Sequence, residues 1–272
     1  MKRPGSLCVV GTGIQMMGQM TLESESAVRS ATKLLYLVTE PVTESWLHSL
    51  NDSAENLWPF YKEEKPRIET YTEIVNHILG FVRAGENVCA AFYGHPGVFV
   101  YPSHEAIKQA RAEGFAAQML PGVSAEDCLF ADLGIDPGWS GCQSFEATDF
   151  LVHSRKFDEN VLLILWQVSC IGVATHLNSY STPGLAVLCA NLCETYGSTH
   201  EVLLYEAARF PVCSPVIHRV QLGALTSAPV TGISTLIVLP KAKSIPDLEM
   251  MKLLNMPASW PFANVRQRTA PR

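Results

Sequence analysis

The segment Phe92–Phe99, which reads Phe-Tyr-Gly-His-Pro-Gly-Val-Phe, has the residue types and spacing of a ligand-binding turn. It follows an apolar run, Val88–Phe92, that is typical of a buried strand, and it precedes an amphipathic helix that begins near Tyr101 or Pro102. Small cofactors bind at the carboxyl ends of strands in an open α/β sheet. The tyrosine, histidine and phenylalanine of such a turn can reach a ligand, and its glycines allow the backbone to approach it closely. The segment therefore predicts a cofactor site.

Composition describes a globular chain with a sizeable core. The chain has 272 residues, a length sufficient for one large α/β domain or two lobes. Of these residues, 47% are hydrophobic and 17% are charged, which is typical of a globular protein. The net charge of −6 argues against nucleic acid as the main partner. Eight cysteines without a Cys-x-x-Cys motif indicate reduced core thiols, so we expect neither a metal site nor disulfides. The longest apolar run, Val161–Trp166, is too short to span a bilayer, and we expect a soluble cytoplasmic protein without membrane contacts.

The first part of the chain alternates between strand and helix patterns, which favours a mostly parallel sheet. A glycine loop, Gly11-Thr12-Gly13, follows the first strand, and Ser124 has the type and position of a helix N-cap, with Asp127 three residues further on. The predicted strands are 6–10, 34–38, 57–60, 88–92 and 115–120, and the predicted helices are 21–33, 41–50, 68–84 and 102–113.

The pattern changes after residue 120, because the later strands come closer together and favour an antiparallel or mixed sheet. We expect an N-terminal α/β lobe over 1–120, a C-terminal α/β lobe over 121–242 and a tail over 243–272 with a short helix at 250–254. In the second lobe the predicted strands are 161–166, 201–205, 216–222 and 232–239, with helices near 171–178 and 183–196.

Four motifs in this order resemble the tetrapyrrole methylase family, whose members use S-adenosyl-L-methionine (SAM). The motifs are Val10–Gly13, Gly94–Gly97, Pro121–Ala125 and Gly232–Leu236, and the match runs over roughly residues 6–240. A lone Gly-x-Gly is weak evidence, whereas four elements with consistent spacing are strong evidence. The resemblance implies a two-lobed fold, with a mostly parallel N-terminal sheet and a mixed C-terminal sheet.

One branch of that family looks closer. The segments Tyr61–Tyr71, Tyr93–Phe99, Gly122–Leu133 and Trp166–Val168 resemble borosin-type peptide backbone α-N-methyltransferases. The resemblance implies methyl transfer from SAM to main-chain amides of a precursor peptide in ribosomal peptide biosynthesis, with S-adenosyl-L-homocysteine as product and a homodimer as the assembly. Only about thirty residues follow the last predicted strand and they lack a Val/Ile/Gly-rich core, so the sequence looks like a split form acting on a separate peptide.

The resemblance also assigns residues. It implies that Arg67 and Tyr71 are catalytic, with Tyr61 and Tyr93 beside them. It implies SAM contacts from Tyr93, His95, Val98, Phe99, Ser124, Ala125, Gln167, Ala208, Ser234 and Thr235.

The chemistry explains why a tyrosine and an arginine would be needed. An amide nitrogen is a poor nucleophile because its lone pair is delocalised into the carbonyl. Arg67 and Tyr71 are four residues apart at the start of a predicted helix, so they can share a face, and a guanidinium lowers the pKa of a phenol that it contacts. We expect Tyr71 to remove the amide proton and Tyr93 or Tyr61 to donate to the carbonyl oxygen. Without the family context, an Arg and a Tyr at this spacing are more often a surface pair.

Two other functions remain open at this point. The chain could methylate a tetrapyrrole or another small molecule, although the acidic balance argues against carboxylate-rich substrates. It could also be a non-catalytic SAM- or peptide-binding module. The stretch 41–66, with its aromatic residues, is a candidate for dimer or peptide contact, with core packing as the alternative.

Overall fold

A computed structural model describes residues 4–15, 17–178, 183–242 and 245–257. The chain divides into two compact units. The first comprises Met1–Cys128, Val173–Asn178 and Ala207–Ser214, and the second comprises Leu129–Gly172, Ser179–Glu206 and Pro215–Arg272. The expected lobe boundary near residue 120 differs from this division, because the first unit continues to Cys128 and receives two short segments from later in the chain.

The first unit contains a five-stranded sheet in the order β3-β2-β4-β1-β5. Every pairing is parallel, as predicted. The strands are β1 (Ser6–Gly11), β2 (Lys33–Leu37), β3 (Glu55–Asn56), β4 (Asn87–Phe92) and β5 (Ala116–Met119). The helices that connect them are α1 (Leu22–Ser30), α2 (Pro41–Leu50), α3 (Arg67–Arg83) and α4 (Tyr101–Ala112), followed by α5 (Ala125–Leu133), whose first residues belong to this unit.

The helices of the first unit form where the apolar spacing and the caps predict them. Thr21 accepts a hydrogen bond from the Ser24 backbone N–H at 3.1 Å and so caps α1. Pro41 begins α2, where its missing N–H has no cost. One face of α3 is buried against the sheet at Ile74, Ile78 and Val82, which recur at helical spacing.

The predicted strand at 57–60 is wrong. Trp58–Phe60 forms one turn of 3₁₀ helix, and the third strand is the shorter β3 just before it. Pro59 explains the difference, because it has no N–H to donate to a sheet and its fixed φ suits a helical turn.

The second unit contains a mixed five-stranded sheet in the order β6-β7-β10-β8-β9, as predicted. Strand β6 (Cys142–Glu146) pairs in parallel with β7 (Leu162–Trp166), while β8 (Glu201–Glu206), β9 (Val216–Gln221) and β10 (Thr235–Val238) pair antiparallel. The sequence did not predict β6. The helices of this unit are α6 (Pro137–Ser140), α7 (Ala147–Val152), α8 (Pro183–Tyr196) and α9 (Leu248–Leu253), the last lying in the predicted tail.

The predicted helix at 171–178 is also wrong. Residues 173–178 belong to the first unit and contain an isolated bridge between Thr175 and Pro66. Their backbone groups bond to residues 64–67 rather than to one another, so no helical hydrogen bonds form there.

Within the described residues, no helix is both long enough and apolar enough to cross a membrane.

Candidate active site

Three motif loops of the first unit meet through their glycines. A Cβ on Gly11 would lie 2.2 Å from the Gly94 carbonyl oxygen, and one on Gly122 would lie 2.9 Å from the same oxygen. Gly13 and Gly94 exchange two backbone hydrogen bonds, of 3.3 and 3.0 Å. These glycines lie at or just after the carboxyl ends of β1, β4 and β5, which share one edge of the sheet. Glycine is therefore required here for the loops to approach one another.

The turn between β4 and α4 is fixed by its own hydrogen bonds. The Nδ1 atom of His95 accepts from the Gly97 N–H at 2.9 Å, and the His95 carbonyl accepts from the Val98 N–H at 3.1 Å. His95 is therefore a residue that shapes the turn. The turn leaves Val98 and Phe99 exposed at 42% and 49%, with Phe99 in the left-handed region at a φ of 55°. A bulky residue in that region is strained, and such strain concentrates at functional sites.

Tyr93 is a neutral phenol at physiological pH. Burial is the main reason that its pKa rises to about 12, and the Arg209 guanidinium opposes this rise while the Cys128 thiol and the Glu40 carboxylate add to it. Glu40 and Arg209 form an ion pair at 2.6 Å. Ala208, a predicted cofactor residue, lies next to Arg209 in the returning segment Ala207–Ser214, so it belongs to the same unit as Tyr93. A phenol with a high pKa keeps its proton at neutral pH. It can therefore donate a hydrogen bond, but it cannot accept a proton from the substrate.

Ser124 begins α5 with a reciprocal cap. Its hydroxyl accepts from the Asp127 N–H at 3.1 Å, and the Asp127 carboxylate accepts from the Ser124 N–H and hydroxyl at 2.7 and 2.8 Å. The predicted N-cap is confirmed. Because this hydroxyl is already bonded, we expect any cofactor contact at Ser124 and Ala125 to use backbone N–H groups of the first helical turn, which have no carbonyl acceptor within the helix.

Aromatic neighbours hold two of the predicted catalytic side chains. Arg67 is the first residue of α3 and Tyr71 lies one turn later, where its ring stacks on Tyr101 with centroids 5.8 Å apart and planes 23° apart. The Tyr61 ring lies 5.0 Å from Trp58, whose indole N–H donates to the Val38 carbonyl at 2.8 Å. The structure thus places each of these phenol rings against an aromatic neighbour within one unit.

The predicted cofactor residues of the second unit gather at one sheet edge. Gln167 follows β7 with a φ of 59°, and Ser234 and Thr235 lie at the start of β10. Strands β7 and β10 are antiparallel, with Leu165 opposite Leu236, so the end of one lies beside the start of the other. The Ser234 hydroxyl donates to the Glu206 carboxylate at 2.6 Å and accepts from the Thr231 N–H at 2.8 Å. Its side chain therefore has a structural role.

Sequence reasoning missed four residues next to the predicted site: Tyr101, His176, Arg209 and Glu40. Tyr101 alone had a local signal, since it is an aromatic residue just after the motif turn. The other three reach the site through contacts distant in sequence, which no periodicity reveals. Among the described residues, no group of three or more His, Cys, Asp or Glu side chains is arranged to hold a metal ion.

Comparison with known proteins agrees with this fold. Residues 6–211 match the family described as tetrapyrrole (corrin/porphyrin) methylases. Two solved structures share the fold at low identity: diphthine synthase (TM-score 0.59, 14% identity, 93% of this chain and 98% of that one) and uroporphyrin-III-C-methyltransferase from Thermus thermophilus (0.61, 15%, 95% and 99%).

Curated relatives are much closer in sequence. The chain is 43% identical to the methyltransferase/ribosomally synthesized cyclic peptide gymnopeptides precursor of Gymnopus fusipes, over 95% of this chain and 63% of the relative. It is 40% identical to the corresponding omphalotin A precursor of Omphalotus olearius, over 93% of this chain and 62% of the relative. The chain therefore spans less than two thirds of the length of these relatives.

Proposed function

Because the chain belongs to the tetrapyrrole (corrin/porphyrin) methylases, a family of SAM-dependent enzymes, we propose that it transfers methyl groups from SAM to backbone amide nitrogens of a precursor peptide. The observation that carries this proposal is the set Tyr61, Arg67, Tyr71 and Tyr93, present in one compact unit of a chain that resembles peptide-precursor methyltransferases over more than nine tenths of its length.

The residues of the first unit fit this cofactor. Val98 and Phe99 offer exposed apolar surface for a purine, and the strained φ of Phe99 is of the kind that binding sites retain. The first-turn N–H groups of α5 can donate to the cofactor carboxylate. In the second unit, Gln167, Ser234 and Thr235 stay predicted cofactor residues, and because the Ser234 hydroxyl is already bonded to Glu206, its backbone is the part assigned to this role. Bound SAM supplies an electrophilic methyl group on a sulfonium cation.

The proton of the amide is the main chemical obstacle. If the amide pKa lies ~8 units above neutral, ionising it costs roughly 11 kcal/mol at about 1.4 kcal/mol per unit. We assign Tyr71, as its phenolate, as the group that accepts this proton and becomes a neutral phenol, and Arg67 as the cation that stabilises the phenolate before the transfer. Tyr93 keeps its own proton and donates a hydrogen bond to the carbonyl oxygen, which gains charge as the nitrogen is deprotonated. Tyr61 is a second donor or an orienting group for the same amide.

The direct test is mass spectrometry of peptides incubated with the protein and SAM. We expect a synthetic peptide rich in Val, Ile and Gly to gain mass in steps of one methyl group, with fragmentation placing each methyl on a main-chain nitrogen. Parallel incubations with tetrapyrrole precursors test the alternative substrate class. Methylation of a tetrapyrrole and of no peptide would contradict the proposal, and SAM binding without any transfer would favour a binding module.

A separate precursor chain and a homodimer complete the proposal. The peptide added in the preceding experiment is a separate chain, so its methylation supports action in trans. The curated relatives combine methyltransferase and precursor in one name, which favours an attached substrate instead. Methylation of a peptide only when it is fused to the enzyme would overturn the separate-chain assignment and leave the amide chemistry intact.

Replacement of Tyr71 by Phe tests the proposed base. The ring and its stack on Tyr101 remain, but the group that accepts the proton is lost. We expect methylation to fall by about 10²–10⁴-fold, the usual contribution of a general base, while SAM affinity by calorimetry changes little. Unchanged turnover would remove Tyr71 from the mechanism.

Tyr196→Phe is the matched control for this substitution. The buried Tyr196 hydroxyl has no hydrogen-bond partner among the described residues, and it lies in the core of the second unit. We expect its removal to leave methylation unchanged and the free energy of unfolding equal or higher, because a buried unsatisfied polar group is removed.

A further inference from the structure

We propose that the segment Val173–Asn178, which we name the strap, fixes the catalytic loop Tyr61–Arg67, and that His176 is the positioning residue for the Tyr61 ring. The role of His176 in turnover rests on the proposed function. The binding of the strap to the loop is a property of the first unit alone.

Backbone hydrogen bonds join the strap to the loop along most of its length. The Glu64 N–H donates to the His176 carbonyl at 2.8 Å, the His176 N–H donates to the Lys65 carbonyl at 2.9 Å, and the Arg67 N–H donates to the Ala174 carbonyl at 3.0 Å. At the far end, the Asn178 N–H donates to the Glu63 carboxylate at 3.0 Å. The strap therefore pairs with the loop as a short antiparallel partner.

One of these bonds acts on the first turn of α3. The first N–H groups of a helix have no carbonyl acceptor within the helix, and Pro66 at the N-cap provides no side-chain cap. The Ala174 carbonyl supplies an acceptor for the N–H of Arg67, the first helical residue. The strap thus fixes the point where the helix that carries Arg67 and Tyr71 begins.

The ring of His176 completes an aromatic cluster around Tyr61. The His176 and Tyr61 rings meet edge to face, with centroids 5.3 Å apart and planes 71° apart, and His176 also lies 6.3 Å from Trp58. Trp58 contacts the Tyr61 ring at 5.0 Å and is anchored to the Val38 carbonyl. Tyr61 thus has aromatic contacts with both Trp58 and His176, and edge-to-face pairs of this kind are favoured by aromatic quadrupoles.

The backbone conformation of Glu64 indicates that contacts with the strap hold the loop Tyr61–Arg67 in its conformation. Its φ of 60° is in the left-handed region, which a glutamate adopts at a cost. The bonds from Glu64 and Lys65 to the strap bracket this residue and can hold it there. Removing the His176 ring should therefore displace the Tyr61 phenol while every proposed catalytic side chain is still present.

Steady-state kinetics with the holoenzyme and a peptide substrate test the role of His176. Displacement of a catalytic group by 1 Å can cost ~10²-fold, so for His176→Ala we expect kcat to fall about tenfold. The KM for SAM should stay within about twofold, because none of the residues assigned to the cofactor is replaced. His176→Phe keeps a flat ring and should retain kcat within about threefold. His218→Ala, an exposed histidine on β9, should behave as the wild type.

A double-mutant cycle separates positioning from a general structural effect. If His176 acts through Tyr61, then adding His176→Ala to a Tyr61→Phe variant should lower kcat by less than about twofold. A full tenfold further loss in the Tyr61→Phe background would overturn the assignment. So would wild-type kcat in His176→Ala, or a loss in His176→Phe as large as in His176→Ala.

Amide hydrogen exchange tests the strap without any activity. In the wild-type chain with no ligand, the bonded amides of Glu64, Arg67 and His176 should exchange at least about tenfold more slowly than those of Lys62 and Glu63. His176→Pro removes the donor to Lys65 and should abolish much of this protection. Equal exchange across the loop would overturn the strap. If the wild type methylates no peptide but this protection is present, the proposed function falls and the strap remains.

Discussion

At the scale of single residues, the protonation of Tyr93 decides which role it can play. Burial raises its pKa to about 12, against 10 for an ordinary tyrosine, so the phenol stays neutral through the physiological range. A neutral phenol near the Glu40–Arg209 ion pair is suited to donate to a developing oxyanion, whereas the proton acceptor must be another group. Tyr71 and Tyr93 are therefore assigned opposite roles.

Tyr93→Phe should lower kcat by about 10²-fold, the loss expected when one oxyanion donor is removed. SAM affinity should change less than kcat, because the ring remains in place. Single-turnover kinetics and calorimetry measure the two quantities. A Tyr93→Phe enzyme with wild-type turnover would show that the amide oxygen takes its donor from elsewhere.

The raised pKa of Tyr93 predicts that the protein loses stability at alkaline pH. Tyr93 binds its proton more tightly in the folded chain than in the unfolded chain, where its pKa is near 10. Its contribution to the free energy of unfolding is thus present below pH 10 and lost as the pH rises toward 12. Urea unfolding between pH 8 and 11.5 should show a shallower decline for Tyr93→Phe. Identical slopes would contradict the raised pKa. Burial also raises the pKa of Tyr196, so part of the decline should remain.

At the scale of elements, contact between loops explains why the motif glycines are needed. The Cβ of Gly11→Ala would lie 2.2 Å from a backbone carbonyl oxygen that cannot move aside without shifting the turn after β4. We expect a clear loss of thermal stability together with loss of SAM binding, since the three loops can no longer meet.

Gly80→Ala supplies the matched control on α3. Apart from the neighbouring backbone of α3 itself, no heavy atom of the described residues lies within 4 Å of a Cβ at Gly80, and alanine has a higher helix propensity than glycine. This variant should be more stable by about 0.5–1 kcal/mol and fully able to bind SAM. Calorimetry of both variants tests the contrast, which fails if Gly11→Ala unfolds at the wild-type temperature.

Elements with a local signal could be predicted from the sequence. The alternating strands and helices, the cap at Ser124 and the mixed second sheet all follow from spacing, caps and turn residues. The predictions failed where long-range contacts decide the structure. The residues around 171–178 are compatible with a helix in isolation, but their backbone groups bond to a loop more than a hundred positions earlier in the chain.

The candidate site could be predicted only in part for the same reason. The turn around Tyr93 and the segment from Tyr61 to Tyr71 are continuous in sequence and carry recognisable motifs. His176 and the ion pair of Arg209 with Glu40 depend on segments that return to the first unit from later positions. The aromatic residues of the stretch 41–66, for which surface contact and core packing were the two alternatives, do not all have the same environment. Trp46, Phe60 and Tyr61 pack against the hydrophobic cores, while Trp58 is 39% exposed.

At the scale of the whole molecule, α9 is hard to explain in a single copy of the chain. It is six residues long, has no buried residue, and leaves Leu248 and Leu253 exposed at 65% and 75%. So short a helix is not stable alone in water, and exposed apolar side chains gathered on one element mark an association surface. We predict that a second copy of the chain, as in the proposed homodimer, packs on this helix.

Light scattering at micromolar concentration tests this assembly. We expect a mass twice the 29.8 kDa of the chain, and a shift toward the single-chain mass in Leu253→Asp, because a carboxylate on an apolar contact is left desolvated. Val152→Asp, on the 71% exposed Val152 of α7, is the control and should keep the wild-type mass. A wild-type mass of 29.8 kDa at every concentration would refute the homodimer. A Leu253→Asp protein that still doubles its mass would place the contact on another surface, since no apolar interface tolerates that charge without loss of affinity.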